Sequence, residues 1–239
     1  MARVVFLGTP SFGVPVLEAL VRHHEVVAVV TQPDRPAGRG RRTLEAPAVK
    51  IAAERHGLPV LQPISLRRDR EVVRALRDFG ADVFVLAAFG QILRQEVLDI
   101  PPHGCIGVHA SLLPKYRGAA PIAAAILHCE HETGVTLMRT DAGMDTGDIV
   151  AQEALTIAAD DTTETLTERL AHLGARMVID TLPAWLAGEI EPRPQDDALA
   201  TTAPMISRDD ARIDWRRSAR DIDCLIRAYT PWPGAYTTL

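Results

Sequence analysis

The stretch GCIGVHASLLPKYRG, residues 104–118, decides the fold that the rest of the chain is expected to build. Its first half is a short apolar run that predicts a β-strand, and His109 stands where that strand ends. Ligands of open α/β sheets bind outside the carboxyl ends of the strands. Because a histidine can exchange a proton near pH 7, this position predicts a reactive imidazole at a sheet edge.

A glycine-rich acidic stretch, DAGMDTGD at residues 141–148, follows and is expected to face the same site. Its Asp145 is the candidate partner that would fix the tautomer of His109 and stabilise its charged form. Gly143 and Gly147 would let this loop fold tightly over a ligand. Two alternatives stay open at this point: the histidine is a hydrogen-bonded structural residue, or the loop is only an acidic turn.

Composition sets limits on the class of protein. The chain has 239 residues, 47% of them hydrophobic, and a formal charge of −5, so a nucleic-acid partner would need a local basic patch. Three widely spaced cysteines predict neither a zinc site nor a disulfide framework, and their odd number fits a reducing compartment. With no membrane-spanning stretch and no apolar run typical of a signal peptide, a cytoplasmic protein is expected.

Apolar runs alternate with helical patterns along the chain. This alternation predicts an α/β fold with a Rossmann-like, mostly parallel open sheet, helices on both faces and one antiparallel edge. Gly8 and Gly13 do not form G-x-G-x-x-G and no phosphate-loop lysine follows, which argues against a dinucleotide or ATP site. The predicted strands are residues 3–7, 25–31, 58–61, 82–88, 106–108, 134–138 and 149–157, and the predicted helices are 46–56, 69–79, 119–129, 162–186 and 222–229.

Two segments interrupt this pattern. Residues 32–42, QPDRPAGRGRR, contain four arginines, two glycines and two prolines, which predict neither helix nor strand and suit contacts with phosphates. Residues 188–210 contain prolines and acidic residues with little apolar periodicity, as is typical of a linker. The remaining segment, 211–239, is too short for an independent core.

Long motifs connect the chain with a known family. VHASLLPKYRGAAPI (108–122) and ETGVTLMRTDAGMDTGDIV (132–150) resemble the 10-formyltetrahydrofolate-dependent formyltransferases. TQPDRPAGRG (31–40), ARIDW (211–215) and PWPG (231–234) resemble the branch of that family that formylates initiator methionyl-tRNA. The resemblance implies a formyltransferase catalytic domain at 1–187, a linker at 188–210, and the beginning of a C-terminal tRNA-binding β-barrel at 211–239, which is incomplete because the chain is truncated.

The family's catalytic residues are an asparagine, a histidine and an aspartate. His109 and Asp145 match the last two, while Gly107 occupies the position of the asparagine. In the family, that asparagine amide stabilises the oxyanion formed when an amine attacks the formyl carbon. Glycine offers no such donor, and losing one typically lowers turnover about 10²–10³-fold.

The resemblance also implies ligands and their contacts. The expected donor is 10-formyltetrahydrofolate, no metal is expected, and the expected acceptor is initiator methionyl-tRNA, with no membrane or DNA partner. The folate is expected to contact Ser111, Leu112, Leu113, Pro114, Phe89, Gly90, Ile92 and Asp141. The tRNA is expected to contact Arg39, Arg41, Arg42, Lys115 and Arg117. The alternatives are a sister formyltransferase acting on a sugar-nucleotide amine, and a folate- and tRNA-binding form whose catalysis is impaired by Gly107.

Overall fold

The computed structural model describes residues 1–37 and 43–238. Its strands are β1 (Arg3–Gly8), β2 (Glu25–Val30), β3 (Arg35–Ala37), β4 (Thr43–Glu45), β5 (Val60–Leu61), β6 (Val83–Ala87), β7 (Cys105–His109), β8 (Arg117–Gly118), β9 (Glu132–Arg139), β10 (Ile149–Thr156) and β11 (Thr202–Ala203). Its helices are α1 (Gly13–His23), α2 (Ala48–Arg55), α3 (Arg70–Asp78), α4 (Gln95–Leu98), α5 (Pro121–Leu127), α6 (Thr163–Leu186) and α7 (Ala219–Ala228).

Seven strands form one sheet in the order β10-β9-β7-β6-β1-β2-β5. The five strands from β7 to β5 are parallel, whereas β9 runs antiparallel to both β7 and β10. The predicted mostly parallel sheet with an antiparallel edge is therefore confirmed. Strands β1 and β2 are buried along almost their whole length, which is why they appear in the sequence as unbroken apolar runs.

Helices cover both faces of the sheet. On one face Phe6 belongs to a core with residues of α1, α2, α6 and α7. On the other face Leu7 packs in a second core with Val73 and Leu76 of α3 and with residues of α4. Alternate β1 side chains thus enter opposite cores, and each fully buried Leu or Phe contributes about 1.5–3 kcal/mol by leaving water.

Two segments differ from expectation. The arginine-rich segment was predicted to contain no strand, but β3 and β4 pair antiparallel at its borders. Segment 188–210 has little regular structure, yet it packs on the sheet domain: Arg193 bridges to Ile149, and β11 pairs with β8. The domain boundaries near 187 and 210 stay predictions.

The cysteines also require a correction. Cys129, just after α5, and Cys224, within α7, form a disulfide with Cα atoms 5.7 Å apart, although no disulfide was expected. Spacing could not reveal it, because the two residues are 95 positions apart and meet only when α7 packs against α5. Cys105 is free and buried, and burial raises the pKa of its thiol to about 12. Among the described residues, no helix has the length and apolarity needed to cross a membrane.

Candidate active site

A cleft of about 780 Å³ opens beside the carboxyl ends of β6 and β7. Gly107 and His109 of β7 form part of its wall, and the loop after β6 and the acidic loop before β10 form its sides. Parallel strands bring these distant segments to one edge because their carboxyl ends all point the same way. The cleft is of the size that small-molecule sites occupy.

His109 is almost fully buried and is held by the turn that follows it. Its Nε2 lies 2.9 Å from the carbonyl oxygen of Tyr116. Since a carbonyl can only accept, Nε2 carries the hydrogen and Nδ1 is the ring nitrogen free to gain or lose a proton. The turn is closed by Ser111, whose hydroxyl donates to the carbonyl oxygen of Lys115 at 2.6 Å.

Asp145 approaches the other side of the imidazole. Its Oδ2 lies 3.6 Å from Nδ1 of His109 and accepts a hydrogen bond of 2.8 Å from the backbone N–H of Gly118. The backbone of Asp145 has a φ of 55°, a left-handed conformation that is uncommon for a residue with a side chain. The structure thus brings together the two groups that the sequence pairs, and protonation at Nδ1 would place a cation beside this carboxylate.

The loop that carries Asp145 is fastened by Gln195, which sequence reasoning missed. Its side-chain amide donates to the carbonyl oxygens of Asp145 at 2.9 Å and Gly147 at 2.7 Å. Its Oε1 accepts from the Arg117 guanidinium, which also pairs with Asp197. Gln195 lies in the segment expected to be a linker, and no local pattern marks it as part of the site.

Asp141 organises the acidic loop from within. Its carboxylate accepts from the backbone N–H of Gly143 at 3.0 Å and from the Thr146 hydroxyl at 2.9 Å. Asp141 also lines the cleft, where the sequence expects a folate contact. These contacts give Asp141 a part in shaping the loop.

The wall beside Gly107 contains an unpaired polar atom. A Cβ built on Gly107 would lie 2.9 Å from Oγ1 of Thr140 and 3.1 Å from Cε of Met138. Oγ1 of Thr140 is buried and has no hydrogen-bond partner among the described residues. A buried hydroxyl without a partner is uncommon, and this one faces the place where a side chain at position 107 would begin.

The loop after β6 contributes three predicted folate residues, Phe89, Gly90 and Ile92, to the cleft. The carbonyl oxygen of Phe89 accepts from the Thr9 hydroxyl at 3.0 Å and from the Gln32 amide at 3.1 Å. These bonds tie the loop to the chain after β1 and β2, so its backbone has a fixed position against the cleft.

The folate contacts expected of residues 111–114 stay predictions; the structure places these four residues in the turn after His109, outside the residues that line the cleft. Ser111 is fully buried in the turn beneath His109, and the backbone N–H of Leu113 donates to the Thr136 hydroxyl at 3.0 Å. Leu112 and Pro114 belong to the same turn. The motif therefore holds the histidine and presents the Tyr116 carbonyl to it.

The predicted tRNA contacts have different surroundings. Arg39, Arg41 and Arg42 lie outside the described residues. Lys115 is exposed and lies 3.2 Å from Glu130, whose pKa is lowered by the hydrogen bond from Tyr116 and by Lys115. Arg117 is largely enclosed by its contacts with Gln195 and Asp197, which give it a structural role. No cluster of three or more metal-ligating side chains occurs in the part of the chain that the structure describes.

Comparison with known proteins identifies the family. The formyl transferase family model matches residues 2–182, and the model for the C-terminal domain of formyl transferases matches residues 205–239. The methionyl-tRNA formyltransferase of Citrifermentans bemidjiense is 51% identical over 99% of this chain and 74% of its own length. That of Chloroflexus aggregans is 53% identical over 98% of this chain and 76% of its own length.

A solved structure adds evidence for the fold. The N-formyltransferase from Helicobacter canadensis, in complex with folinic acid and dTDP-3-aminofucose, superposes with a TM-score of 0.72. It is 21% identical and the match covers 95% of this chain and 80% of that one. Both family models together with relatives that are about half identical lead to one conclusion: the chain belongs to the formyltransferase family, in its methionyl-tRNA formyltransferase branch.

Proposed function

We propose that this protein transfers the formyl group of 10-formyltetrahydrofolate to the α-amino group of methionyl-tRNA, the charged initiator of translation. The observation that carries the proposal is the meeting of His109 and Asp145, 3.6 Å apart, beside a cleft of about 780 Å³. The high identity with methionyl-tRNA formyltransferases supports this acceptor, and the folinic acid bound by the Helicobacter neighbour supports a folate donor.

The reaction needs a neutral amine, an electrophilic formyl carbon and a path for one proton. An α-amino group has a pKa of about 7.7–8.0, so part of it is neutral near physiological pH. The amine nitrogen attacks the formyl carbon and an oxyanion forms. The bond from that carbon to N10 of the folate then breaks, and N10 gains the proton that the amine loses. No covalent enzyme intermediate is required.

His109 is the residue proposed to handle this proton. Its Nε2–H is occupied by the Tyr116 carbonyl, so Nδ1 is the atom that accepts and returns the proton. Asp145 stabilises the charged imidazole from 3.6 Å, while its own position is fixed by the Gly118 N–H and, through the loop, by Gln195. The cationic imidazole also stabilises the oxyanion electrostatically.

Turnover is expected to be reduced by Gly107. This position offers no side-chain amide to the oxyanion, which agrees with the alternative of a ligand-binding form with impaired catalysis. The other alternative, a sugar-nucleotide acceptor, has weaker support, because the sugar-binding neighbour is only 21% identical whereas methionyl-tRNA formyltransferases reach 53%. We also propose a cytoplasmic location, with tRNA and folate rather than membrane or DNA as partners.

A direct assay tests the proposal. Purified protein is mixed with 10-formyltetrahydrofolate and charged initiator tRNA, and formyl-methionine is quantified after deacylation. We expect transfer by the wild-type chain and a loss of about 10²–10³-fold or more for His109→Asn, since the proton carrier is removed. Circular dichroism controls for folding. Full activity of His109→Asn would remove the histidine from the mechanism, and transfer only to amino-sugar nucleotides would favour the alternative acceptor.

A further inference from the structure

A second groove, of about 500 Å³, lies along α3 on the opposite face of the sheet from α1 and α6. Exposed arginines dominate its lining, with Glu96 as an acidic neighbour and Val73 at its base. The arginines are Arg67, Arg68, Arg70, Arg74, Arg77 and Arg94. On a chain whose formal charge is −5, this surface concentrates positive charge in one place.

These guanidinium groups lack the partners that usually accompany such a cluster. Within the described residues, none of the six takes part in a side-chain hydrogen bond or an ion pair. Nearby Asp69 uses its carboxylate to cap α3, accepting from the N–H of Val72 at 3.1 Å. Like charges held close together repel, so the groove is electrostatically complementary to a ligand with several negative charges.

The groove and the catalytic cleft are lined by adjoining segments. The cleft is bordered by residues 88–93, and Arg94 follows directly. Gln91 fastens this loop to the chain before α3: its Oε1 accepts from the N–H of Leu66 at 2.8 Å, and its amide donates to the carbonyl of Pro63 at 3.2 Å. A ligand that extends out of the cleft past this loop would therefore first contact Arg67, Arg68 and Arg94.

We infer that the groove binds an anionic tail of the formyl donor: a folate that carries a chain of several glutamates. The inference rests on the proposed function and specifies its donor. A folate with one glutamate presents two carboxylates, which the arginines nearest the cleft can satisfy. Arg74 and Arg77 lie further along α3, about 6–10 Å from its first residue at 1.5 Å of rise per residue, and serve a longer tail.

Carboxylates fit this lining because guanidinium groups bind them through two parallel hydrogen bonds. Each exposed pair contributes little alone, but several pairs along one flexible chain add up. The expected consequence is a donor preference set by tail length. RNA phosphates are the competing class of ligand, and the same measurements discriminate between them.

The test compares binding of tetrahydrofolate with one and with five glutamates, measured by titration calorimetry, so that slow turnover does not affect it. For the wild-type chain we expect the pentaglutamate to bind about 10-fold more tightly at low salt, a ratio that falls as salt screens the exposed charges. In Arg74→Gln/Arg77→Gln the ratio should fall close to one. The matched control, Arg22→Gln/Arg55→Gln, removes two exposed arginines from the other face and should retain the wild-type ratio.

The outcomes separate the two proposals. Equal affinity of the wild-type chain for both folates would overturn the tail site and leave the proposed function standing. If neither folate bound, that result would instead contradict the proposed function itself. If Arg74→Gln/Arg77→Gln weakened binding of methionyl-tRNA and kept the wild-type folate ratio, the groove would be an RNA surface and the inference would be wrong.

Discussion

Position 107 shows how much chemistry depends on one side chain. A Cβ there would lie 2.9 Å from the unpaired Thr140 hydroxyl, which is too close, so the Thr140 side chain would have to shift and an asparagine amide could then gain its hydroxyl as a partner while facing the cleft. Met138, whose Cε would be 3.1 Å away, is flexible enough to move aside. The wall therefore retains a polar partner for a side chain that this chain lacks.

We predict that Gly107→Asn raises kcat about 10²–10³-fold, because an amide donor would then face the developing oxyanion. Formyl transfer to charged initiator tRNA measures the effect. Gly107→Ala is the control, since it adds the same Cβ contact without a donor and should give no gain. An unchanged kcat in the asparagine variant would mean that another group already supplies the hydrogen bond.

Gln195 provides a second prediction at this scale. We predict that Gln195→Ala lowers kcat about 10-fold, because losing two hydrogen bonds worth about 1 kcal/mol each releases the loop that carries Asp145. Donor KM should change less than kcat. Asp197→Ala is the control: Asp197 pairs with the same Arg117 but does not contact the loop directly. Equal effects of both variants would point to general destabilisation.

At the scale of secondary-structure elements, sequence and structure agree where burial is continuous. The strands beginning at Arg3 and Glu25 are predictable because both of their faces are covered, which gives continuous apolar runs in the sequence. Helix α3 is predictable from the apolar stripe that follows its N-cap residue, Asp69. The pairing of His109 with Asp145 was also predictable once the family motifs were recognised.

Other features leave no local signal because they depend on contacts between distant segments. Gln195 reaches the acidic loop only through tertiary packing, and no pattern in the surrounding proline-rich segment indicates this contact. The turn at residues 111–114 is fixed to β9 by the hydrogen bond from the Leu113 N–H to the Thr136 hydroxyl, a contact that the local sequence does not show. Cys129 and Cys224 meet only because α5 and α7 pack together.

The contact between α5 and α7 gives the prediction at this scale. A disulfide that closes a loop of 95 residues restricts the unfolded chain and typically stabilises a fold by about 2–4 kcal/mol. For a protein of this size that corresponds to a fall in Tm of about 5–10 °C on reduction. Thermal unfolding with and without dithiothreitol measures it, and Cys129→Ser/Cys224→Ser, which should not respond to reductant, is the control. Identical Tm values for the oxidised and reduced wild-type protein would show that the bond adds no stability.

At the scale of the whole molecule, the distribution of charge matters more for ligand recognition than the net charge does. The net charge of −5 does not attract RNA, so recognition of tRNA requires local clusters of basic residues. Two of the places where arginines are concentrated bear on the ligands: the groove along α3, and the segment 35–42, whose Arg39, Arg41 and Arg42 lie outside the described residues. We assign the first cluster to the donor and the second to the tRNA.

This assignment predicts that substitution of Arg39 weakens recognition of tRNA and leaves binding of the donor unchanged. Arg39→Ala should raise KM for methionyl-tRNA about 10-fold, since a charge-assisted hydrogen bond is worth about 1.5–3 kcal/mol, and should leave donor affinity at the wild-type value. It should also reduce the slope of log affinity against log salt by about one, as expected when one phosphate contact is lost. Arg22→Ala, at an exposed position on α1, is the matched control. A parallel loss of tRNA and folate affinity in Arg39→Ala would indicate that this arginine supports the fold near the cleft, and the tRNA would then have to be held by another basic surface.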